Sequence, residues 1–296
     1  MKRRALLQWA ALAAAADRAA AQASPSTRAI PSSGEPIPRV GLGTWITFNV
    51  GNDPPARARC AQVMRAFFEA GGRVIDSSPM YGSSQGVVGE GLRALGARQR
   101  VFSADKVWTG GDGAAQLEAS RAQWQLPRFD LLQVHNLLAW EKQLPLLQRM
   151  KAEGRVRYVG ITTSEGRRAR EFEQIMRKER LDFVQFTYNL LDREAERTLL
   201  PLAAERGIAV LVNRPFQEGD LLRRLARHPL PPWAGEIGCA SWAQFALQFV
   251  VSHPAVTCAI PATRRIDHVR ENMGVARGPF PDAATRERMA AYVAGL

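Results

Sequence analysis

From about residue 39 onward, short apolar segments alternate with amphipathic stretches. The apolar segments are RVGLGTW (39–45), RVIDSS (73–78), VFSADKVW (101–108), FDLLQVH (129–135), VRYVGITT (156–163), DFVQFTY (182–188), IAVLVN (208–213) and VTCAIP (256–261). Each is apolar on both faces, as strands of a parallel sheet covered by helices should be. Between them, residues 57–70, 112–126, 141–153, 193–206 and 240–252 carry helical periodicity. Gly207 follows the fourth of these as a stop signal, and His253-Pro254 follows the fifth. Eight strands interleaved with helices predict an α/β fold of the (β/α)8 barrel type, one domain over 39–296. A doubly wound sheet is the rival. It would need a glycine-rich phosphate turn after a strand, and Gly41-Leu42-Gly43 lacks the third glycine at the required spacing.

The first 38 residues break this pattern. Lys2, Arg3 and Arg4 precede an Ala-rich apolar run over 5–16, and Ala21-Gln22-Ala23 fits a small-residue cleavage pattern. Residues 1–23 therefore read as a signal peptide. The Arg3-Arg4 pair followed by Leu6, Leu7 and Gln8 is twin-arginine-like, an address read by a receptor. The expected location is the periplasm, or the cytoplasm if the signal does not function. Residues 24–38, rich in Ser and Pro, read as a linker.

Composition narrows the classes further. The 296 residues are 46% hydrophobic and 23% charged, which excludes wholesale disorder. Cys60, Cys239 and Cys258 are too few and too scattered for a disulfide framework, and no Cys/His cluster suggests a metal. The net charge is +12. No run of five like charges and no interleaving of aromatic with basic runs accompanies it, so it reads as a solvated Arg-rich surface rather than a nucleic-acid face. No stretch of 18 apolar residues exists, so stable membrane insertion is not expected. A monomer or weak oligomer is expected.

In a parallel barrel, chemistry sits where strands end at their C-terminal side. Asp76 ends the second strand segment, Lys106 lies near the end of the third and His135 ends the fourth. Tyr81 follows Asp76 by five residues. One strand-end acid or lysine is most often structural; four such groups on neighbouring strands would converge on one mouth.

GGRVIDSSPMYGSS (71–84), KVW (106–108), LLQVHN (131–136), VQFTYN (184–189) and IPATRRIDHVREN (260–272) resemble the aldo-keto reductase family. The resemblance covers every barrel strand. It implies a nicotinamide cofactor, reversible carbonyl reduction, and a catalytic tetrad of Asp76, Tyr81, Lys106 and His135. Chemically, Tyr81 would give a proton to the carbonyl oxygen and Lys106 would lower its pKa. Asp76 would hold the ammonium, and His135 would orient the substrate oxygen.

The resemblance also implies cofactor contacts, with departures. Gln185 matches the carboxamide-binding position. Thr162-Thr163 stands where a Ser-Asn pair is usual, and Arg214 where an aromatic or a Tyr-Ser pair is usual; Phe216 could substitute if the loop turns differently. Gln85 replaces a common acid. Thr263, Arg264 and Arg265 match the segment that holds a 2′-phosphate, and Glu271 and Asn272 the adenine positions. Two arginines there favour NADP over NAD. Trp45, Met80, Trp108 and Trp140 are the expected substrate-pocket residues, suited to an apolar or aromatic carbonyl compound. Trp124, Trp233 and Trp242 read as packing residues. The altered nicotinamide contacts leave a second reading open, a nucleotide-binding sensor or regulatory protein of the same fold with little catalysis.

Overall fold

The computed structural model describes residues 24–296, so the expected signal peptide lies outside the described residues. Among the described residues, eight parallel strands form one sheet in sequential order: β3 (Leu42–Gly43), β4 (Val74–Asp76), β5 (Phe102–Val107), β6 (Phe129–Val134), β7 (Val156–Thr162), β8 (Phe183–Thr187), β9 (Ala209–Asn213) and β10 (Cys258–Ala259). Parallel bridges Val40↔Ala259 and Gly43↔Ala262 join the last strand to the first and close the barrel. Gly43 is required at this seam, because a Cβ there would lie 2.7 Å from the Ile260 carbonyl oxygen.

The (β/α)8 expectation is met, with two kinds of adjustment. The first and last strands are much shorter than 39–45 and 256–261. The chain leaves the first strand after Gly43, so Trp45 stands on the rim loop. The helix expected over 193–206 is broken into a 3-10 turn, Glu194–Glu196, and a helix, Leu199–Arg206, ended by Gly207 at φ +64°. Pro201 explains the break: it has no N–H to donate backward, so it is tolerated only in a first turn. The other four helices settle at Pro54–Glu69, Gly113–Trp124, Trp140–Ala152 and Trp242–Ser252. Asp53 caps the first of these, accepting from the Ala56 amide.

The linker expectation for 24–38 is corrected. These residues form an antiparallel hairpin, β1 (Thr27–Ala29) with β2 (Pro36–Pro38). Ile30 and Ile37 are fully buried against Val74, Phe102, Leu131, Tyr158, Phe183 and Ala209, residues near the starts of the barrel strands. The hairpin thus seals the N-terminal end of the barrel, opposite the strand ends that carry Asp76 and His135. Glu35 reinforces it through Arg157 and through the Tyr158 hydroxyl at 2.8 Å. Two isoleucines among serines and prolines were too sparse to register as a strand pattern. Trp124 is fully buried, Trp242 packs edge-on to Phe245 and Trp233 packs tilted against the same ring, in line with their expected packing role.

Candidate active site

The strand ends surround a cavity of about 540 Å³. Its lining includes Asp76, Met80, Tyr81, His135, Gln185 and Trp45. Lys106 lies behind that wall, fully buried on β5. Its Nζ donates to Asp76 Oδ2 at 2.6 Å and to the Ser77 carbonyl at 2.7 Å, and sits 5.1 Å from the centre of the Tyr81 ring. Gln185 Nε2 donates to the other Asp76 oxygen at 2.8 Å. Asp76 therefore has one oxygen for the lysine on the neighbouring strand β5 and one for the glutamine, which reaches it across the barrel from β8.

Tyr81 ends a 3-10 turn, Pro79–Tyr81, capped by Ser78, whose Oγ accepts from the Met80 amide. Gly82 follows at φ +58°, and a Cβ there would meet Asn49 Oδ1 at 2.4 Å, so the exit from this turn needs glycine. The Tyr81 ring lies 5.0 Å from Trp45 and edge-on to His135 at 5.7 Å. Burial pushes the Tyr81 hydroxyl up to about 12, with Lys106 opposing the rise and Asp76 adding to it. Lys106 acts in the expected direction, lowering the value, but the net value lies above the usual tyrosine one. The cation is present, but desolvation outweighs it, and Tyr81 stays protonated at neutral pH. His135 is driven down to about 2, first by burial and then by Lys106. It is a neutral imidazole at any ordinary pH. Lys106 is held above its usual value: burial alone would lower it, and Asp76 and Tyr81 more than compensate.

The expected cofactor residues divide. Thr162, Gln185, Arg214, Thr263, Glu271 and Asn272 line the cavity. Thr163 is turned into the structure, donating to the Arg167 carbonyl. Arg214 lies on the wall at φ +50° with its guanidinium between Glu165 at 3.0 Å and Glu218 at 2.6 Å, so it ties two rim loops together instead of standing free to stack. Phe216 is on the cavity wall. Arg264 lies beside the cavity, donating to the carbonyls of Ile46 at 2.8 Å and Thr47 at 3.1 Å. Arg265 is exposed and paired with Asp267.

Of the expected pocket residues, Trp45 and Met80 line the cavity and two do not. Trp108 is 41% exposed outside the lining, its backbone clasped by the Gln116 side chain. Trp140 opens a helix and donates to Glu171 at 2.8 Å, packing against the outer core. Both follow strands, but neither side chain lines the mouth.

Other site residues were missed. Ile46, a β-branched residue held at φ +61°, stands exposed on the rim. Asn136 and His268 are on the wall, and Glu218 receives the Trp45 indole N–H at 3.3 Å. Ser78 sits between Asp76 and Tyr81, with its Oγ 2.7 Å from His135 Nδ1. A serine just before a proline is a capping signal and marked this position in the sequence.

Comparison with known proteins agrees with this geometry. The aldo/keto reductase family model matches residues 39–290. Methylglyoxal reductase YeaE of Escherichia coli is 31% identical over 248 residues, 81% of this chain and 85% of that protein. An NADH-specific methylglyoxal reductase of E. coli is 28% identical, over 66% and 68% of the two chains. An aldo-keto reductase of Klebsiella pneumoniae, crystallised with NADPH, superposes with a TM-score of 0.74 at 24% identity, covering 91% of this chain and 95% of that one.

Proposed function

The chain belongs to the aldo/keto reductase family, and from that premise we propose that it is an NADP-dependent reductase converting an aldehyde or ketone to an alcohol, with Tyr81 as the proton donor. The observation that carries this reading is the Asp76–Lys106–Tyr81–His135 cluster at the wall of one cavity. A nicotinamide bound there would supply a hydride to the carbonyl carbon. The residues present suit such a group. Gln185 lines the wall with its amide nitrogen engaged by Asp76, and Thr263, Glu271 and Asn272 extend the same cavity toward the loop after β10.

The protein's part is proton delivery and placement. As negative charge develops on the carbonyl oxygen, Tyr81 and His135 stand side by side to donate to it. The tyrosine enters this step protonated, as its raised pKa requires. Once the proton leaves, the Lys106 cation near the ring stabilises the phenolate, and Asp76 fixes the lysine. A protonated tyrosine is the form that the reducing direction uses, whereas the reverse direction uses the deprotonated form.

The substrate proposed is an apolar or aromatic carbonyl compound, supported by Trp45, Ile46 and Met80 at the mouth. Two relatives named for methylglyoxal make a small dicarbonyl the natural comparison. The sensor reading rests on Arg214, held by two glutamates where the family has a nicotinamide contact. Steady-state turnover with NADPH and NADH on methylglyoxal and a series of aromatic aldehydes tests all of these. Turnover that falls at least about a hundredfold in Tyr81→Phe, with cofactor affinity kept, supports the reductase. Cofactor binding without turnover on any carbonyl supports the sensor.

A further inference from the structure

We propose that Ser78 is a positioning residue for both hydrogen-bond donors of the site: its hydroxyl fixes which ring nitrogen of His135 carries the proton, and its backbone carbonyl anchors Tyr81. The proposal rests on the reductase reading for its kinetic consequence, though not for the tautomer itself.

The donors and acceptors around Ser78 fix the tautomer. Ser78 is fully buried and His135 nearly so. Ser78 Oγ has one proton and two lone pairs. The Met80 amide donates to one lone pair at 3.2 Å. His135 Nδ1 lies 2.7 Å from the same oxygen. If Nδ1 carried the imidazole proton, two N–H groups would converge on one oxygen. The hydroxyl proton would then have to find another acceptor in a closed wall, and a buried donor without one is costly. With the hydroxyl donating to Nδ1, both contacts are satisfied. His135 is neutral, so its single proton is then on Nε2, the nitrogen that Ser78 does not occupy. Nε2–H is the group left to act on a substrate oxygen.

The same residue sets the second donor. The Tyr81 amide donates to the Ser78 carbonyl at 3.0 Å, closing the turn that carries the tyrosine ring to within 5.7 Å of the imidazole. One residue therefore links the two donors, by its side chain on one hand and its backbone on the other. Loss of the hydroxyl removes the tautomer lock and the turn cap together, and exchange for threonine restores both.

The test begins with the wild-type protein. Nitrogen-15 NMR of the His135 ring, assigned by loss of its signals in His135→Gln, reads the tautomer directly. The expected spectrum has Nδ1 unprotonated and Nε2 protonated, unchanged from about pH 5 to 9. A protonated Nδ1 overturns the proposal whether or not any variant folds. In Ser78→Ala, the ring signals should move toward a mixture of tautomers and kcat should fall about tenfold or more. NADPH affinity should change less than about twofold, and Ser78→Thr should recover most of kcat. Wild-type kcat in Ser78→Ala overturns the proposal, as does a folded Ser78→Thr that is as slow as the alanine variant. An inactive wild type with the expected tautomer would count against the reductase reading alone.

Discussion

Lys106 Nζ lies 2.6 Å from Asp76 Oδ2, and both side chains are sealed from solvent. The pair bridges β5 and β4 beneath the cavity. A buried ion pair is costly to assemble but far costlier to halve, because removing one partner strands the other charge. Here each member has other fixed partners, Ser77 for the lysine and Gln185 for the aspartate.

The first prediction follows from this. Lys106→Met and Asp76→Asn should each lower stability by about 3–5 kcal/mol and abolish measurable turnover. The double variant, with no stranded charge, should regain part of that stability while remaining inactive. Urea unfolding of all four proteins checks it. Strict additivity of the two losses would show that the pair does not act as a unit.

A second acid, next to Lys106 on β5, lies on the opposite face of that strand. Asp105 is fully buried, its Oδ2 accepting from Gln85 Nε2 at 2.6 Å while Oδ1 has no partner among the described residues. Gln85 also donates to Ser120 at 2.9 Å. Burial raises Asp105 to about 7, with Lys106 the main opposing influence and Asp76 adding to the rise. For an acid whose folded pKa exceeds its unfolded value near 4, folding favours the protonated form. Its ionisation therefore destabilises the fold progressively as pH rises from about 4 to about 7. Asp105→Asn should match the wild type near pH 4 and exceed it above pH 7, by at most ~4 kcal/mol. Thermal unfolding across pH 4–8 reads this. A pH-independent difference would mean that Asp105 does not titrate there.

How far the sequence revealed this arrangement depends on chain separation. The barrel was legible because each strand announces itself within seven or eight residues, as in FDLLQVH (129–135). The tetrad was legible because strand order fixes which ends are neighbours. What stayed hidden depends on contacts between distant segments. Ile30 and Ile37 needed the barrel floor to make a hairpin. Arg214 needed Glu165 and Glu218 to become a loop tie. The net effect of burial on Tyr81 could not be weighed against Lys106 until the depth of the site was known. Trp108 and Trp140 misled because a residue just past a strand can face either side of its loop.

The third prediction concerns cofactor choice. Arg265 is exposed, with only Asp267 as its ionic partner among the described residues, so it can exchange that partner for a phosphate at small cost. Arg264 is bound to the Ile46 and Thr47 carbonyls and would have to leave them. Arg265→Ala should weaken NADPH binding about tenfold or more and NADH binding little. Arg264→Ala should also raise KM for the carbonyl substrate, because the rim loop that carries Trp45 loses its tie. Fluorescence titration with both nucleotides and steady-state kinetics measure these effects. Equal losses for the two cofactors would show that neither arginine reads the 2′-phosphate.

The hairpin yields a fourth prediction. Ile37→Ala empties a fully buried position between the hairpin and the barrel floor. The expected loss is about 2–5 kcal/mol. Because this floor is at the opposite end of the barrel from Tyr81 and His135, kcat of the folded fraction should stay within about twofold of wild type. Denaturation and activity on one preparation test both halves of the statement.

The last prediction joins the N-terminal segment to the fold. Twin-arginine-like export of residues 1–23 is a proposal carried by Arg3-Arg4 and the Ala-rich run behind them. Cleavage near Ser24 would leave every hairpin residue on the mature chain. Ser26, just beyond that point, is already tied to the barrel, its backbone N–H donating a hydrogen bond to the Ala276 carbonyl. A chain leaving the cytoplasm folded would also keep a nucleotide bound before export, whereas one threaded unfolded would have to find its cofactor outside. The buried, unpaired Cys60, Cys239 and Cys258 fit this route, since none awaits an oxidising compartment. Cell fractionation should therefore place a form beginning near Ser24 in the periplasm, with nucleotide detectable by mass spectrometry of the native protein. Replacing Arg3 and Arg4 by Lys should retain the uncleaved chain in the cytoplasm. Undiminished periplasmic protein in that variant would overturn the twin-arginine reading, and an uncleaved cytoplasmic wild type would overturn export altogether.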